Sequence, residues 1–225
     1  GVISSYSLDR DRGALEPLAK TPTGGEVMPL ALSPDHLHLY ATLRNEPPQV
    51  VSFRLDPTNG ELSRQGAGSL PASMANVDVD PSGRYLFAAS YSDDLLSVSP
   101  VDAQGVIGDA QATLPTGQRA HAMHASPDGR FAYATNLGED QLVQYRFDGA
   151  SGKLSPLSPA AVSTPSQTGP RHFVFSPDGR FVYVLGEFSG AVTTYAYDEQ
   201  SGQLTALGTA TGVPASSKLI RGMAR

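Results

Sequence analysis

The side chains best suited to chemistry are His121, Arg171 and Glu187, and each lies near a copy of one short phrase. That phrase is a Ser-Pro-Asp-Gly-Arg turn with an apolar run after it, and it reads SPDGRFAYA from Ser126 and SPDGRFVYV from Ser176. An imidazole or a carboxylate can act as a general base, and a guanidinium can bind phosphate or carboxylate through two parallel hydrogen bonds. The three residue types together suit base catalysis on a small anionic molecule.

The spacing of these residues about the two turns predicts that they meet. Residues equally far from the centre of a tight turn lie opposite each other in an antiparallel hairpin. Counting outward from the first Asp-Gly centre pairs His121 with Asn136, and counting from the second pairs Arg171 with Gly186, next to Glu187. We therefore expect His121, Arg171 and Glu187 to converge at one end of neighbouring hairpins, with Asn136 beside His121.

The slots that hold these residues vary between copies of the phrase, whereas the turn stays nearly constant. In the earlier copies, the Glu187 slot holds Arg44, Tyr91 and Leu137, and the Arg171 slot holds Met28, Ala75 and His121. Positions that keep the same residue in every repeat are needed for packing of the scaffold. Positions that vary and become polar are typical of a ligand pocket that the repeats share, because such a pocket need not have the symmetry of the repeats. We therefore predict that Arg44, Tyr91 and Asn136 bind substrate.

Structural roles fit the same residues. A wet channel accommodates a solvated histidine at position 121, and Arg171 with Glu187 could form a plain salt bridge across their hairpin. His172 follows Arg171 along the strand, so alternation places it on the other face, between repeats. A metal site is a weaker prediction, because Glu187 and Asn136 fall short of the oxygen ligands that calcium takes and no zinc spacing occurs. We expect no metal and no cofactor.

The phrase recurs with a period that determines the fold class. Its prolines are 47, 46 and 50 residues apart, at Pro34, Pro81, Pro127 and Pro177. A second phrase begins with an acidic residue and continues, a few residues later, with a glycine and a branched apolar residue. Its glycines are Gly13, Gly60, Gly105, Gly152 and Gly202. Each unit holds two turn signals and about four strand-sized runs, and the run after each turn is apolar on both faces. Four antiparallel strands in every ~45–50 residues predict an all-β fold, a β-propeller.

Composition excludes several classes of protein. The 225 residues carry a net charge of −6, which disfavours a nucleic-acid partner, since such proteins usually present a basic face. The chain has no cysteine, so disulfides and thiolate metal sites are excluded, and no tryptophan, so the repeats are not of the WD40 type. No run of 18 apolar residues occurs, so we expect no membrane span.

Two longer stretches resemble a known family. GPRHFVFSPDGRFVYVLGE, from Gly169 to Glu187, and AHAMHASPDGRFAYATN, from Ala120 to Asn136, are similar to the seven-bladed β-propeller lactonases, as are the strands that carry the second phrase. The resemblance covers essentially the whole chain. It implies that His121, Arg171 and Glu187 are active-site residues, while a later arginine used by the family has no counterpart here.

The resemblance implies an enzyme, a lactonase that hydrolyses a small anionic sugar lactone, 6-phosphogluconolactone to 6-phosphogluconate. Two alternatives stay open: a muconate-type enzyme that closes a lactone, and a non-catalytic propeller that binds a ligand or protein.

Seven blades at this period need about 330 residues. We therefore expect one partial propeller domain over residues 1–225, an open arc of about four and a half to five blades that self-associates through its open edges. We expect a cytoplasmic location.

Overall fold

The computed structural model describes residues 1–212, and its regular structure is almost entirely β-strand. The first sheet has two strands, β1 (Val2–Asp9) and β2 (Ala14–Pro22). The second has the order β3–β4–β5–β6, with the bounds Val27–Leu32, His38–Leu43, Gln49–Leu55 and Leu62–Ser69. The third has the order β10–β9–β8–β7, and its strands in chain order are Asn76–Val79, Tyr85–Ser90, Leu95–Pro100 and Ala112–Pro115.

Two further four-stranded sheets follow. The fourth has the order β11–β12–β13–β14, with the bounds Ala120–Ala125, Phe131–Asn136, Gln141–Asp148 and Lys153–Ser163, and one 3-10 turn at Leu137–Glu139. The fifth has the order β15–β16–β17–β18, with the bounds Pro170–Phe175, Phe181–Gly186, Ala191–Tyr197 and Leu204–Thr211. Consecutive strands pair antiparallel in both of these sheets. The predicted all-β repeat of four strands per unit is confirmed.

The chain divides into two compact units. Among the described residues, 1–88 and 97–113 form the first, and 89–96 and 114–212 form the second. The fourth and fifth sheets, with His121, Arg171 and Glu187, belong to the second unit. No helix within residues 1–212 is long and apolar enough to cross a membrane. Residues 213–225 lie outside the described part of the chain, and the single partial propeller domain over residues 1–225 stays a prediction.

The repeated turn is held by the same hydrogen bonds in each sheet of the second unit. At the first turn, Ser126 Oγ donates to Asp128 at 2.5 Å and accepts from the backbone N–H of Phe131 at 3.1 Å. Ser176 makes the matching bonds with Asp178 and Phe181. Gly129 and its counterpart Gly179 have φ values of 68° and 70°, a region that glycine adopts without strain. These bonds explain why the phrase recurs nearly unchanged.

Burial of the strand after the turn differs between the fourth and fifth sheets. Every residue of β12 is buried, as the apolar runs predicted. In β16 burial alternates instead, and Tyr183 and Leu185 are exposed together with Val174 of β15. The difference arises because no part of the chain within residues 1–212 covers this face of the fifth sheet.

Buried tyrosines join neighbouring sheets inside each unit. Tyr133 of β12 is fully buried and donates from its hydroxyl to the carbonyl of Gly202, in the fifth sheet, at 2.6 Å. Tyr40 of β4 makes the equivalent bond to Gly105 at 3.1 Å. The glycines belong to the second repeated phrase, so the two phrases that set the period also hold adjacent sheets together.

Removing the Tyr133 hydroxyl tests this link. Tyr133→Phe leaves the buried Gly202 carbonyl without its donor, so the free energy of unfolding should fall by about 1–3 kcal/mol. Tyr183→Phe is the matched control, because Tyr183 has the same repeat position but no hydrogen-bond partner among the described residues. Urea denaturation measures both changes. Equal losses in the two variants would contradict the role assigned to the Tyr133 hydroxyl.

Candidate active site

A bulge in β11 determines where His121 lies. The pairs Met123–Ala134 and His124–Tyr133 follow the register counted from the turn, but the next recorded pair is Ala120–Asn136. One extra residue has therefore been inserted into β11, and it leaves Asn136 opposite Ala120. The predicted pairing of His121 with Asn136 is wrong by one residue, because counting from the turn assumes a ladder without bulges.

The same irregularity occurs at the matching point of β15. His172 pairs with Leu185 and Pro170 pairs with Gly186, so Arg171 is the extra residue between them. A bulge bends its strand and re-aims the side chains beside it. Glu187 directly follows the end of β16, and its N–H donates to the Gly169 carbonyl at 2.8 Å. Arg171 and Glu187 therefore lie side by side at one end of the hairpin.

Arg171 contacts both of its predicted partners through one nitrogen. Its Nε lies 3.1 Å from Nε2 of His121 and donates a hydrogen bond to that atom. The same Nε lies 2.8 Å from Oε2 of Glu187 and forms an ion pair with it. The three side chains that the turn spacing brings together are thus in contact, across two sheets. Their catalytic roles stay predictions.

His121 is neutral in this arrangement. Only 7% of the residue is exposed, and its burial, helped by the charge of Arg171 and by His172, lowers the pKa of the imidazole to about 4. Because Nε2 accepts from Arg171, the ring proton must be on Nδ1. Nδ1 is itself buried and has no hydrogen-bond partner within residues 1–212. His121 therefore holds Arg171 as an uncharged acceptor.

Arg171 and Glu187 keep part of their bonding capacity for a ligand. Their side chains are 44% and 33% exposed. In the described part of the chain, neither Nη group of Arg171 has a hydrogen-bond partner, and neither does Oε1 of Glu187. An open guanidinium fork binds anions bidentately, and a free carboxylate oxygen can accept a proton from water. The cluster thus offers an anion clamp next to a base.

The three predicted substrate-binding residues have different surroundings. The Tyr91 ring lies edge-on to His121, with 6.0 Å between the ring centroids. Asn136 is fully buried, and its two polar side-chain atoms lie 3.2 and 3.1 Å from Thr116 Oγ1, so both already have a partner. Arg44 is exposed and belongs to the first unit. A substrate contact by any of the three stays a prediction.

Two residues that sequence reasoning did not assign to the site extend the cluster. The ring of His172 lies 4.8 Å from that of His121, so it packs between the sheets as alternation predicted but also borders the site. The guanidinium of Arg119 lies 5.8 Å from the centre of the Tyr91 ring. Arg119 precedes β11 and has a φ of 59°, so strand alternation gives no signal for it in the sequence. Burial, then the charge of Arg171, lowers the pKa of His172.

Two aspartates anchor the loops that lead into the site. Asp94 accepts a 2.6 Å hydrogen bond from the N–H of Arg119, two residues before His121. Asp140 accepts a 2.8 Å bond from the N–H of Gly169, two residues before Arg171. Gly169 has a φ of 60°, and a Cβ there would lie 2.6 Å from the ring of Phe188, so only glycine fits. In both loops, an aspartate carboxylate thus holds the backbone two residues before a site residue.

The described residues contain no group of three or more His, Asp or Glu side chains placed to hold a metal ion. Glu187 and Asn136, the two oxygen-bearing residues considered for calcium, have Arg171 and Thr116 as partners. The chemistry of the cluster therefore has to be argued from its own imidazoles, guanidiniums and carboxylate.

Known proteins share this sequence and fold. Residues 1–224 match the family described as "Lactonase, 7-bladed beta-propeller". The 6-phosphogluconolactonase of Pectobacterium atrosepticum is 37% identical over 164 residues, which are 73% of this chain and 48% of that protein. The corresponding enzyme of Klebsiella pneumoniae is 33% identical over 173 residues, or 77% of this chain and 51% of that one.

A solved structure gives the same result for the fold. The periplasmic gluconolactonase of Pseudomonas aeruginosa superposes with a TM-score of 0.84 at 31% identity, over 95% of this chain and 65% of that one. The chain spans about half the length of the curated relatives it matches. The predicted fold class and the resemblance are both confirmed. With four-stranded antiparallel sheets repeated along it and a family match over residues 1–224, the chain belongs to the seven-bladed β-propeller lactonases.

Proposed function

We propose that the protein hydrolyses a sugar lactone that carries an anionic group, 6-phosphogluconolactone being the substrate. The observation that carries the proposal is the Arg171 guanidinium, whose Nε is held between His121 and Glu187 while both Nη groups stay open. Arg119 lies close by, stacked on Tyr91, and adds a second positive charge. Two guanidiniums against one carboxylate leave an excess of positive charge, to which the two histidines of lowered pKa add none, and this excess favours an anionic ligand. The names of the curated relatives support the same substrate.

The free oxygen of Glu187 is the better-placed base. Glu187 Oε1 is available without breaking the ion pair, whereas the lone pair on His121 Nε2 is already directed at Arg171. In the proposed reaction, Glu187 takes a proton from water and the resulting hydroxide attacks the lactone carbonyl carbon. The ring C–O bond then breaks, and the departing alkoxide takes the proton back from Glu187, which gives the open acid. Arg171 binds the anionic group of the substrate through its Nη atoms.

Acid release from 6-phosphogluconolactone, measured against the spontaneous rate, tests the activity of the purified protein. Glu187→Gln should lower kcat by about 10²–10⁴-fold, because it removes the general base. Arg171→Ala should mainly raise KM, by roughly 10- to 100-fold, because a charge-assisted clamp of about 1.5–3 kcal/mol is lost. Glucono-lactone without phosphate serves as the substrate control, since its KM should respond far less to Arg171→Ala.

Arg180→Ala is the matched protein control, because Arg180 is an exposed arginine of the same sheet that pairs with Asp178 in the turn. It should leave both kinetic constants unchanged. A loss of kcat in His121→Gln but not in Glu187→Gln would transfer the role of base to His121. No acceleration by the wild-type protein, or unchanged turnover in both of these variants, would contradict the proposal. Lactone formation from a muconate would favour the alternative activity.

The lowered pKa of His121 makes a separate prediction about pH. An ordinary histidine gains its proton near pH 6.5, but His121 should stay neutral until the pH approaches about 4. Log kcat/KM for glucono-lactone, which lacks a phosphate that itself ionises near pH 6, should therefore show no ionisation with a midpoint near 6.5 as the pH falls from about 7 to about 5. Imidazole signals in an NMR titration identify His121 directly, with His121→Gln for assignment. A midpoint near 6.5 for His121 would be inconsistent with the burial and charge described here.

The exposed face of the fifth sheet supports a second copy of the chain as partner. Val174 is 62% exposed, and Tyr183 and Leu185 are exposed beside it. Contiguous apolar surface of this kind promotes association. The mass measured by sedimentation should therefore rise with protein concentration, and a Val174→Lys, Tyr183→Lys double variant should suppress that rise. A concentration-independent monomer mass for the unaltered chain would overturn this proposal.

The cytoplasmic location stays a prediction, and one similar solved structure is named as a periplasmic enzyme.

A further inference from the structure

Both site-bearing strands contain a bulge, and a bulge interrupts the backbone hydrogen bonds of the ladder. In β11 the pair His121–Ala122 faces the single residue Thr135 of β12. In β15 Arg171 is the residue without a partner in the register. Buried backbone groups almost always find another hydrogen-bond partner, so the groups released at these bulges need one.

One hydroxyl bonds to the backbone at both bulges. Thr135 Oγ1 accepts from the N–H of Ala122 at 3.0 Å, and it donates to the carbonyl oxygen of Arg171 at 2.8 Å. Thr135 is fully buried, so water does not compete for either bond. The donor and an acceptor site of the hydroxyl are both in use. The fourth and fifth sheets are thereby tied together at Arg171 and at Ala122, the residue that follows His121.

The other repeats show that this bridge is not a general feature of the fold. The position of Thr135, eight residues after the turn proline, holds Thr42, Ala89 and Leu185 in the other copies. Alanine and leucine have no hydroxyl. Thr42 Oγ1 donates at 3.5 Å to the carbonyl of Pro29, which lies in its own hairpin. Of the four residues at this position, Thr135 is the one that links the bulge of one sheet to the bulge of the next.

We propose that Thr135 is a positioning residue, whose hydroxyl fixes the spacing between His121 and Arg171. This inference rests on the proposed function of the same site. Thr135 does not touch the open face of Arg171, so it acts on the backbone beneath the cluster. The 3.1 Å contact between Nε2 and Nε joins side chains from different sheets, so it depends on the register between those sheets. Without the bridge, the Arg171 backbone is free to shift away from His121.

A valine substitution tests the hydroxyl at nearly constant shape. Thr135→Val should lower kcat/KM for 6-phosphogluconolactone by about 10- to 100-fold, the size of effect expected from a misplacement of up to 1 Å. Thr135→Ser keeps the hydroxyl and should restore kcat/KM close to the wild-type value. Thr42→Val is the matched control, because it removes the equivalent buried hydroxyl in the first unit, and it should leave kcat/KM unchanged.

A second readout does not need enzymatic activity. The charge of Arg171 is the second cause of the low pKa of His121, so the pKa should rise from about 4 in Thr135→Val and stay low in Thr135→Ser. NMR titration of the imidazole measures this change. If the wild-type protein proved inactive on lactones, the proposed function would fail while this titration still decided the role of Thr135.

The two substitutions can also be combined. In an Arg171→Ala background, Thr135→Val should cause no further loss of kcat/KM, because the group that it positions is gone. Should Thr135→Val not fold, Thr135→Ala replaces it in the comparison with Thr135→Ser. An unchanged His121 pKa with unchanged kcat/KM, or equal losses in the valine and serine variants, would overturn the proposal. So would a full additional loss in the Arg171→Ala background.

Discussion

The extra residue in the first strand of a sheet is the constraint on which the site depends. It occurs at the same distance from the turn in β3, β11 and β15. A regular ladder would alternate its side chains strictly between the two faces, whereas a bulge re-aims them. In two adjacent sheets the bulges carry His121 and Arg171, and these are the side chains that meet. Repetition of one irregularity thus produces a contact between sheets.

The contact itself is asymmetric, and this asymmetry gives each residue a different task. Arg171 Nε–H lies between a neutral imidazole and a carboxylate, 3.1 Å from the first and 2.8 Å from the second. The imidazole is buried and uncharged, so it orients the guanidinium without neutralising it. The carboxylate is partly exposed and keeps one oxygen for water. Under the proposed function, the buried His121 positions Arg171 and the partly exposed Glu187 accepts the proton.

The sequence predicts that His121, Arg171 and Glu187 meet, because residues equally far from a turn lie opposite each other in an antiparallel hairpin. The Ser-Pro-Asp-Gly phrase shows which residues form each turn. The sequence does not predict the bulge of β11, since no glycine or proline marks the pair His121–Ala122, whereas Pro170 lies next to the bulge of β15. For that reason the neighbour of His121 was misassigned as Asn136. Arg119 was missed on other grounds: its place beside Tyr91 depends on a loop that the Asp94 carboxylate holds, a contact between distant positions of the chain.

Scaffold and site use separate residues within a hairpin only six residues long on each strand. The turn end is held by a hydroxyl and a carboxylate that recur in both sheets of the second unit, as at Ser126 and Ser176. The other end carries the bulge, where residue type changes from repeat to repeat. The bonds of Ser126 and Ser176 involve only residues of their own turns, so a substitution at the bulge removes none of these partners. Thr135 illustrates this separation: its hydroxyl bonds Ala122 of one sheet and Arg171 of the next, at the end of the hairpin that carries the proposed site.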